Sequence, residues 1–252
     1  MKIHLVETTP NDVDNFSIVN GKHYLISYHY DKNHKLTELT HKKNKDAEIL
    51  LDSGAFSAWN TNKTVDINEY MKFVKQYSDD YIGYFNMDVV FDGEKSKENY
   101  DLMRDNGFNP IPVFHYGSDF DILRHYSKYS DYIALSGFVK YSSNPRLMSN
   151  WSKKCLEILP KDKKIHLLGC TSPTILLRFA HRLESVDSTA VTRHQSYHGA
   201  LSYSGMIKKT KGIPTKLTPE QVNTLQQYSA YRMIQMEKQI NDQIKENNIG
   251  QV

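Results

Sequence analysis

Cysteine is scarce in this sequence: Cys155 and Cys170 are the only two among 252 residues, and they form no CxxC pair. Neither a disulfide framework nor a cysteine-rich zinc site is therefore expected, which fits a reducing compartment. Long apolar runs are missing as well. Nowhere do about 18 uncharged apolar residues follow one another, and the opening MKIHLVETTP has no sustained apolar stretch after its lysine. Neither a membrane span nor a leader is expected, so the reading is a cytoplasmic protein without a membrane partner. No GxGxxG follows the first apolar run, which removes the main support for a dinucleotide-binding open sheet. There is no internal repeat and no low-complexity tail. Charge is nearly balanced at a formal +3. This permits a nucleic-acid partner without demanding one, because phosphate binding depends on clustered Lys and Arg rather than on their sum.

What is present is a cadence. Eight short apolar runs occur, each followed by a polar or helical stretch: Lys2 to Val6, Tyr24 to Tyr28, Ile49 to Asp52, Tyr81 to Asp88, Pro110 to Tyr116, Tyr132 to Val139, Lys164 to Gly169 and Ser185 to Val191. Strand then helix at this spacing means parallel pairing, and about eight repeats predict an α/β fold of the (β/α)8 barrel type. Asp66 with Glu69 opens a helix whose Tyr70, Phe73, Val74 and Tyr77 share a face, and Ser172-Pro173 opens another. The polar, lysine-rich stretch from Asp31 to Lys45 shows no clear periodicity and reads as a loop. One domain spans 1–252, with a barrel core over 1–193, an irregular basic and aromatic segment over 194–217 and a C-terminal helix over 218–248. The stripe of that helix, Val222, Leu225, Met233, Met236, Ile240 and Ile244, is interrupted at Ser229 and predicts packing against the barrel or a homodimer partner.

The chain is organised around ILLDSGAFSAW, Ile49 to Trp59. A buried strand stops at Asp52, and Ser53-Gly54 then breaks it into a loop carrying Phe56 and Trp59. Asp52 either caps the next turn or serves chemistry at the barrel mouth. Two further strands end in or carry an aspartate at the same end, Asp88 and Asp187. Like charges gathered at one mouth suit a divalent metal, a cationic group or a reaction that uses them. Glycosidic-bond exchange is such a reaction, with one carboxylate attacking the sugar carbon and another handling protons.

These residues resemble a known family. LDSGAFSAW (Leu51 to Trp59) is similar to the DSGGFQ signature of the tRNA-guanine transglycosylases, and SVDSTAVTR (Ser185 to Arg193) to their FDCVxPTR segment. Between them FNMDVVFD, VFHYGSD, IALSGFV and HLLGCTSPTILL resemble, in order, the second aspartate segment, the QGG segment, the glycine-rich substrate loop and LMGVGTPEDLL. The resemblance covers about Ala47 to Arg193. It implies Asp187 as the nucleophile, Asp52 as the general acid/base, and a purine pocket formed by Asp88, His115, Tyr116, Gly117, Gly137, Phe56 and Gly169, with no metal and no cofactor. His115 and Tyr116 stand where the family has glutamine, and Ala55 replaces its second glycine. The zinc subdomain of the tRNA enzymes has no counterpart in this sequence. DSGAFSAW is closer to the DpdA-type deoxy-7-deazaguanine DNA transglycosylases of phages and bacteria. The resemblance therefore implies DNA rather than tRNA as the polymer, and a 7-deazaguanine base such as 7-cyano-7-deazaguanine as the small substrate. Phe56, Trp59 and Tyr116 become candidates to stack on an extruded base, and Arg193, Lys208, Lys209 and Lys211 candidates to meet phosphates. Exchange in tRNA, a nucleoside hydrolase of the same fold and an inactive binding subunit are the alternative readings. A metal-dependent hydrolase using the carboxylates with His115, His166 or His194 is a poorer one, because those histidines lie in no ligand spacing such as HxH.

Overall fold

In the computed structural model the described residues are 1–249 without 62, 142, 171, 193–198, 202–206 and 210–216; for 188, 199–201, 207–209 and 247–249 the backbone alone is described. Eight parallel strands form one curled sheet: β1 (Lys2–Glu7), β2 (His23–Ser27), β3 (Glu48–Asp52), β4 (Gly83–Tyr84), β5 (Val113–His115), β6 (Tyr132–Ser136), β7 (Lys164–Leu167) and β8 (Ser185–Ser188). They lie in the order β4-β3-β2-β1-β8-β7-β6-β5. This cyclic order is the one a run of strand-helix units generates when each strand pairs with the next and the last returns to the first. The edge strands β4 and β5 share no ladder. A single parallel bridge, Phe85 to Ile111, links their flanks, and the Asn86 side chain extends it by accepting from Val113 N at 2.9 Å and donating to Ser96 O at 3.0 Å. The expected barrel thus stands as an eight-stranded curled parallel sheet with a one-bridge seam.

Helices follow the strands in turn: α1 (Pro10–Ile18), α2 (Lys35–Lys43), α3 (Ala55–Asn60), α4 (Ile67–Tyr77), α5 (Gly93–Asp105), α6 (Phe120–Tyr129), α7 (Pro145–Ile158) and α8 (Pro173–Phe179). Alternation along the strands divides the core in two. Ile3, Ile26, Ile49, Leu51, Phe114, Ile133, Leu135, Ile165, Leu167 and Val186 pack outward against the helices. Val6, Leu25, Leu50, Phe85, Ile111, Val113 and Ala134 form a smaller cluster inside the curl. As expected, Asp66 caps α4 through Asn68 N and Glu69 N, and Tyr70, Phe73 and Val74 are its buried face.

Two sequence expectations are corrected here. The stretch Asp31 to Lys45 holds a helix, α2, rather than a loop. Asp31, fully buried, accepts from Leu36 N at 2.7 Å and from Thr37 N at 3.0 Å, so a carboxylate several residues upstream satisfies the helix's first donors. Its buried side is Leu36, Thr37 and Thr40, too polar to register as an apolar stripe. Within 194–217, the segment expected to be irregular, β9 (Gly199–Leu201) and β10 (Ile207–Lys209) pair antiparallel. The intervening SYSGM is rich in turn-forming serine and glycine.

The last helix, α9 (Pro219–Ile249), packs on the sheet and α1 as expected, and Ser229, the interruption in its stripe, is itself fully buried beside Ala230 and Met233. Much of its docking is polar. Asn15 donates to Gln226 at 2.7 Å and Gln227 to Asn15 at 2.9 Å, and Gln226 donates to Asp12. At the N-terminal edge of the sheet Glu237 accepts from Ile3 N at 2.6 Å and faces His23 Nδ1 at 3.1 Å, while Asn241 binds both the amino group and the carbonyl of Met1. Among the described residues no helix is long and apolar enough to cross a membrane.

Candidate active site

Because successive strand residues alternate faces, the inward positions at the C-terminal ends of the strands are Val6, Ser27, Asp52, His115, Ser136 and Asp187, and all six line one cavity of about 420 Å³. That size falls in the range of small-molecule sites, about 300–1,000 Å³. Asp88, Gly137 and Gly169 complete the floor and walls, and Phe56 and Tyr116 also line it. Of the residues singled out from the sequence for the purine pocket, Gly117 alone is not among the lining residues. It turns the chain after β5 with φ 91°.

Asp52 is placed by a strand end and a glycine. Gly54 has φ 81°, and a Cβ there would lie 2.6 Å from His29 Cβ, so only glycine lets the chain turn back closely enough for its N–H to reach Asp52 Oδ2 at 2.9 Å. From this turn the chain enters a short helix, α3, rather than the expected loop. Asp52 thus binds the turn, as the first sequence reading has it, and also lines the cavity. Burial is the largest influence on its carboxyl, with the Asp88 and then the Asp187 charge adding to it. The Gly54 N–H and the Ser27 hydroxyl pull the other way, and the balance lifts it from the ordinary 3.8 to about 7.

Asp88 follows the seam. Its Oδ1 accepts from Ser53 Oγ at 2.8 Å, and its Oδ2 lies 3.1 Å from His115 Nε2. That approach is off-line for a hydrogen bond, so Nε2 of the buried His115 has no hydrogen-bond partner among the described residues. Asp187 sits on β8 with Oδ1 accepting twice, from His166 Nε2 at 3.0 Å and from Gly169 N at 2.8 Å. Among the described residues its Oδ2 receives no hydrogen bond. The three carboxylates do not form a metal-holding cluster, and no other group of three His, Cys, Asp or Glu does so among the described residues.

At the rim, Phe56, Trp59 and Phe91 are 37%, 51% and 46% exposed. Trp59 meets Phe91 edge-on at 5.5 Å between centroids, and Lys140 Nζ lies 3.8 Å over the Phe91 ring. Phe91 has φ 65°, a conformation that is unfavourable for a bulky residue and concentrates at functional sites. Tyr116 leans instead on Tyr141 and Trp151, so packing accounts for most of it. Arg193, His194 and Lys211 lie outside the described residues, and of Lys208 and Lys209 only the strand backbone of β10 is described.

Sequence reasoning missed Ser27, Ser53, Phe91 and Lys140, and it considered His166 only as a metal ligand, not as the partner of Asp187. The period-2 pattern could have found that pairing: Ser185 and Asp187 share a face of β8, and His166 is the strand partner of Ser185. No family model matches the chain, and no curated protein matches it.

Proposed function

We propose that this chain is a base-exchange transglycosylase that replaces guanine in DNA by a 7-deazaguanine through a covalent aspartyl-glycosyl intermediate. The observation that carries the reading is the division of labour between two carboxylates on one cavity. Asp187 is tied down through one oxygen, with the other receiving no described hydrogen bond, and Asp52 is poised near neutrality. We read the curled sheet as a (β/α)8 barrel whose seam is the Asn86 staple.

In the first half-reaction Asp187 Oδ2 attacks the anomeric carbon as the bond to the guanine nitrogen breaks, and the neutral Asp52 acid gives its proton to the departing base. In the second, the Asp52 carboxylate takes the ring N–H proton of the incoming 7-deazaguanine. That nitrogen then attacks the anomeric carbon and Asp187 leaves as a carboxylate. A group titrating near pH 7 suits both roles, since efficiency is greatest when the pKa lies near the working pH. Asp88, with His115 Nε2 beside it, offers an acceptor and a ring nitrogen for the amine and amide edge of a purine. Exposed Phe56, Trp59 and Phe91 offer faces on which an extruded nucleotide stacks, and stacking of this kind contributes about 1–3 kcal/mol per base.

The experiment is incubation of the protein with guanine-labelled DNA and, separately, guanine-labelled tRNA, each with unlabelled 7-cyano-7-deazaguanine. Release from DNA alone is the expected result. Release from tRNA alone overturns the choice of polymer, and release from neither overturns the exchange reading.

A further inference from the structure

Behind Asp187 a line of polar side chains runs into the interior of the curl. Tyr132 Oη lies 2.5 Å from Ser185 Oγ, Ser185 Oγ lies 2.6 Å from His166 Nδ1, and His166 Nε2 lies 3.0 Å from Asp187 Oδ1. His166 is fully buried, and its ring packs against Phe85 at 5.2 Å and His4 at 5.9 Å between centroids. The donors can be assigned by elimination. A carboxylate only accepts, so Nε2 carries the hydrogen. A neutral imidazole then has Nδ1 as an acceptor, filled by the Ser185 hydroxyl, whose oxygen in turn accepts from the Tyr132 phenol. Each hydrogen bond thus points toward the carboxylate, and a single tautomer satisfies all of them.

The geometry points to His166 as the positioning residue of Asp187, held in its Nε2–H tautomer by Ser185 and Tyr132. This rests on the exchange reading of the cavity. His166 Nε2–H and Gly169 N–H converge on Oδ1, so Oδ2 is the oxygen that attacks. Once the ester has formed, Oδ1 is its carbonyl oxygen and keeps both donors. When the incoming base displaces the aspartate, negative charge returns to a carboxylate already facing two N–H groups, which is where preorganised donors lower a barrier. The inference concerns orientation and charge, and no proton moves along the line.

The test compares His166→Phe, which removes the donor, with His166→Gln, whose amide retains one. Loss of a hydrogen bond to a charged group predicts a fall in kcat of about 10- to 100-fold for His166→Phe. KM for polymer and base should stay within about twofold, and His166→Gln should recover most of the rate. A His166→Phe protein as active as wild type, or a glutamine variant as impaired as the phenylalanine one, overturns the proposal. Should His166→Phe not fold, nitrogen NMR of the wild-type imidazole decides instead. A hydrogen on Nε2 with a bare Nδ1 that responds to Ser185→Ala supports the proposal, and a hydrogen on Nδ1 overturns it. Wild-type protein that exchanges no base in either polymer sinks the exchange reading and this proposal together, whereas active wild type with active His166→Phe sinks the proposal alone.

Discussion

The two ends of the curled sheet are built on opposite principles. At the N-terminal edge, polar groups are matched: Ile3 N has Glu237, and the Met1 amino group and carbonyl have Asn241. At the C-terminal mouth they are left short. Burial, with the Asp88 and Asp187 charges adding to it, makes ionising Asp52 costly, His115 Nε2 lacks a hydrogen bond among the described residues, and Phe91 holds an unfavourable backbone conformation among exposed aromatic rings. Groups left unsatisfied at one end persist because the rest of the fold over-determines them, which is how binding and catalytic sites are usually maintained. Substitutions at the mouth should therefore remove activity while sparing or improving stability, and substitutions at the closed edge should do the reverse.

The largest contrast is expected at Asp187. Asp187→Ala should abolish base release and covalent adduct while the circular dichroism spectrum and thermal midpoint stay near wild type. Retained exchange in that variant would remove the nucleophile assignment. Asp52→Asn should lower turnover by about 10²–10⁴-fold, the usual contribution of a positioned acid or base. It should also change stability in a pH-dependent way. The folded-state value near 7 lies above the ordinary 3.8, so wild-type Asp52 contributes most stability below about pH 4 and loses it as pH rises through about 7. The asparagine, neutral throughout, should therefore be more stable than wild type at pH 8 by about 1–3 kcal/mol in denaturant titrations. Equal stability at pH 8 would mean that Asp52 is not strained by its neighbours.

At the closed edge, Glu237→Ala leaves Ile3 N without its acceptor and should cost about 1–3 kcal/mol of unfolding free energy, with the exchange rate per folded molecule unchanged. A lower kcat at a temperature where the variant is fully folded would break the contrast between the ends. Away from that edge, Glu7, the last residue of β1, is buried under α2 with Thr40 on one oxygen and, among the described residues, no hydrogen bond on the other, and burial pushes it up to about 8. The same sign applies, so stability falls as pH climbs from about 4.5 through 8. Glu7→Gln should flatten that fall by about 1–3 kcal/mol between pH 6 and pH 9, without effect on exchange. The smallest effect is expected at Phe91, where Phe91→Asn suits the left-handed conformation. Stability should be unchanged or rise by up to about 1 kcal/mol, while KM for the polymer rises about tenfold, the loss of one stacking partner.

Much of this was legible in the residues. The eight runs correspond to eight strands because parallel strands buried on both faces read as apolar blocks whatever surrounds them. The carboxylates were found because each ends or interrupts such a block. Two helices were not equally visible: α4 announces itself through Asp66 and an aromatic face, whereas α2 depends on Asp31 and on threonines buried by neighbours far along the chain. The extent of β4 was overestimated for a similar reason. Tyr81 to Asp88 looks like a long strand, but Asn86 spends its side chain as a backbone substitute at the seam, and only two residues join the ladder.

By itself, then, the sequence determined the strand-helix cadence, the end of the strands at which the aspartates stand, and the amphipathic last helix, since periodicity, capping and strand termination are properties of neighbouring residues. The tertiary structure alone decided that His166 meets Asp187, that Asp52 is lifted to about 7, that α2 is a helix, and that Glu237 completes the first strand. Each of these depends on burial, Coulombic proximity or a hydrogen bond between groups far apart in the chain. Such interactions acquire their strength only when folding has removed the water between them.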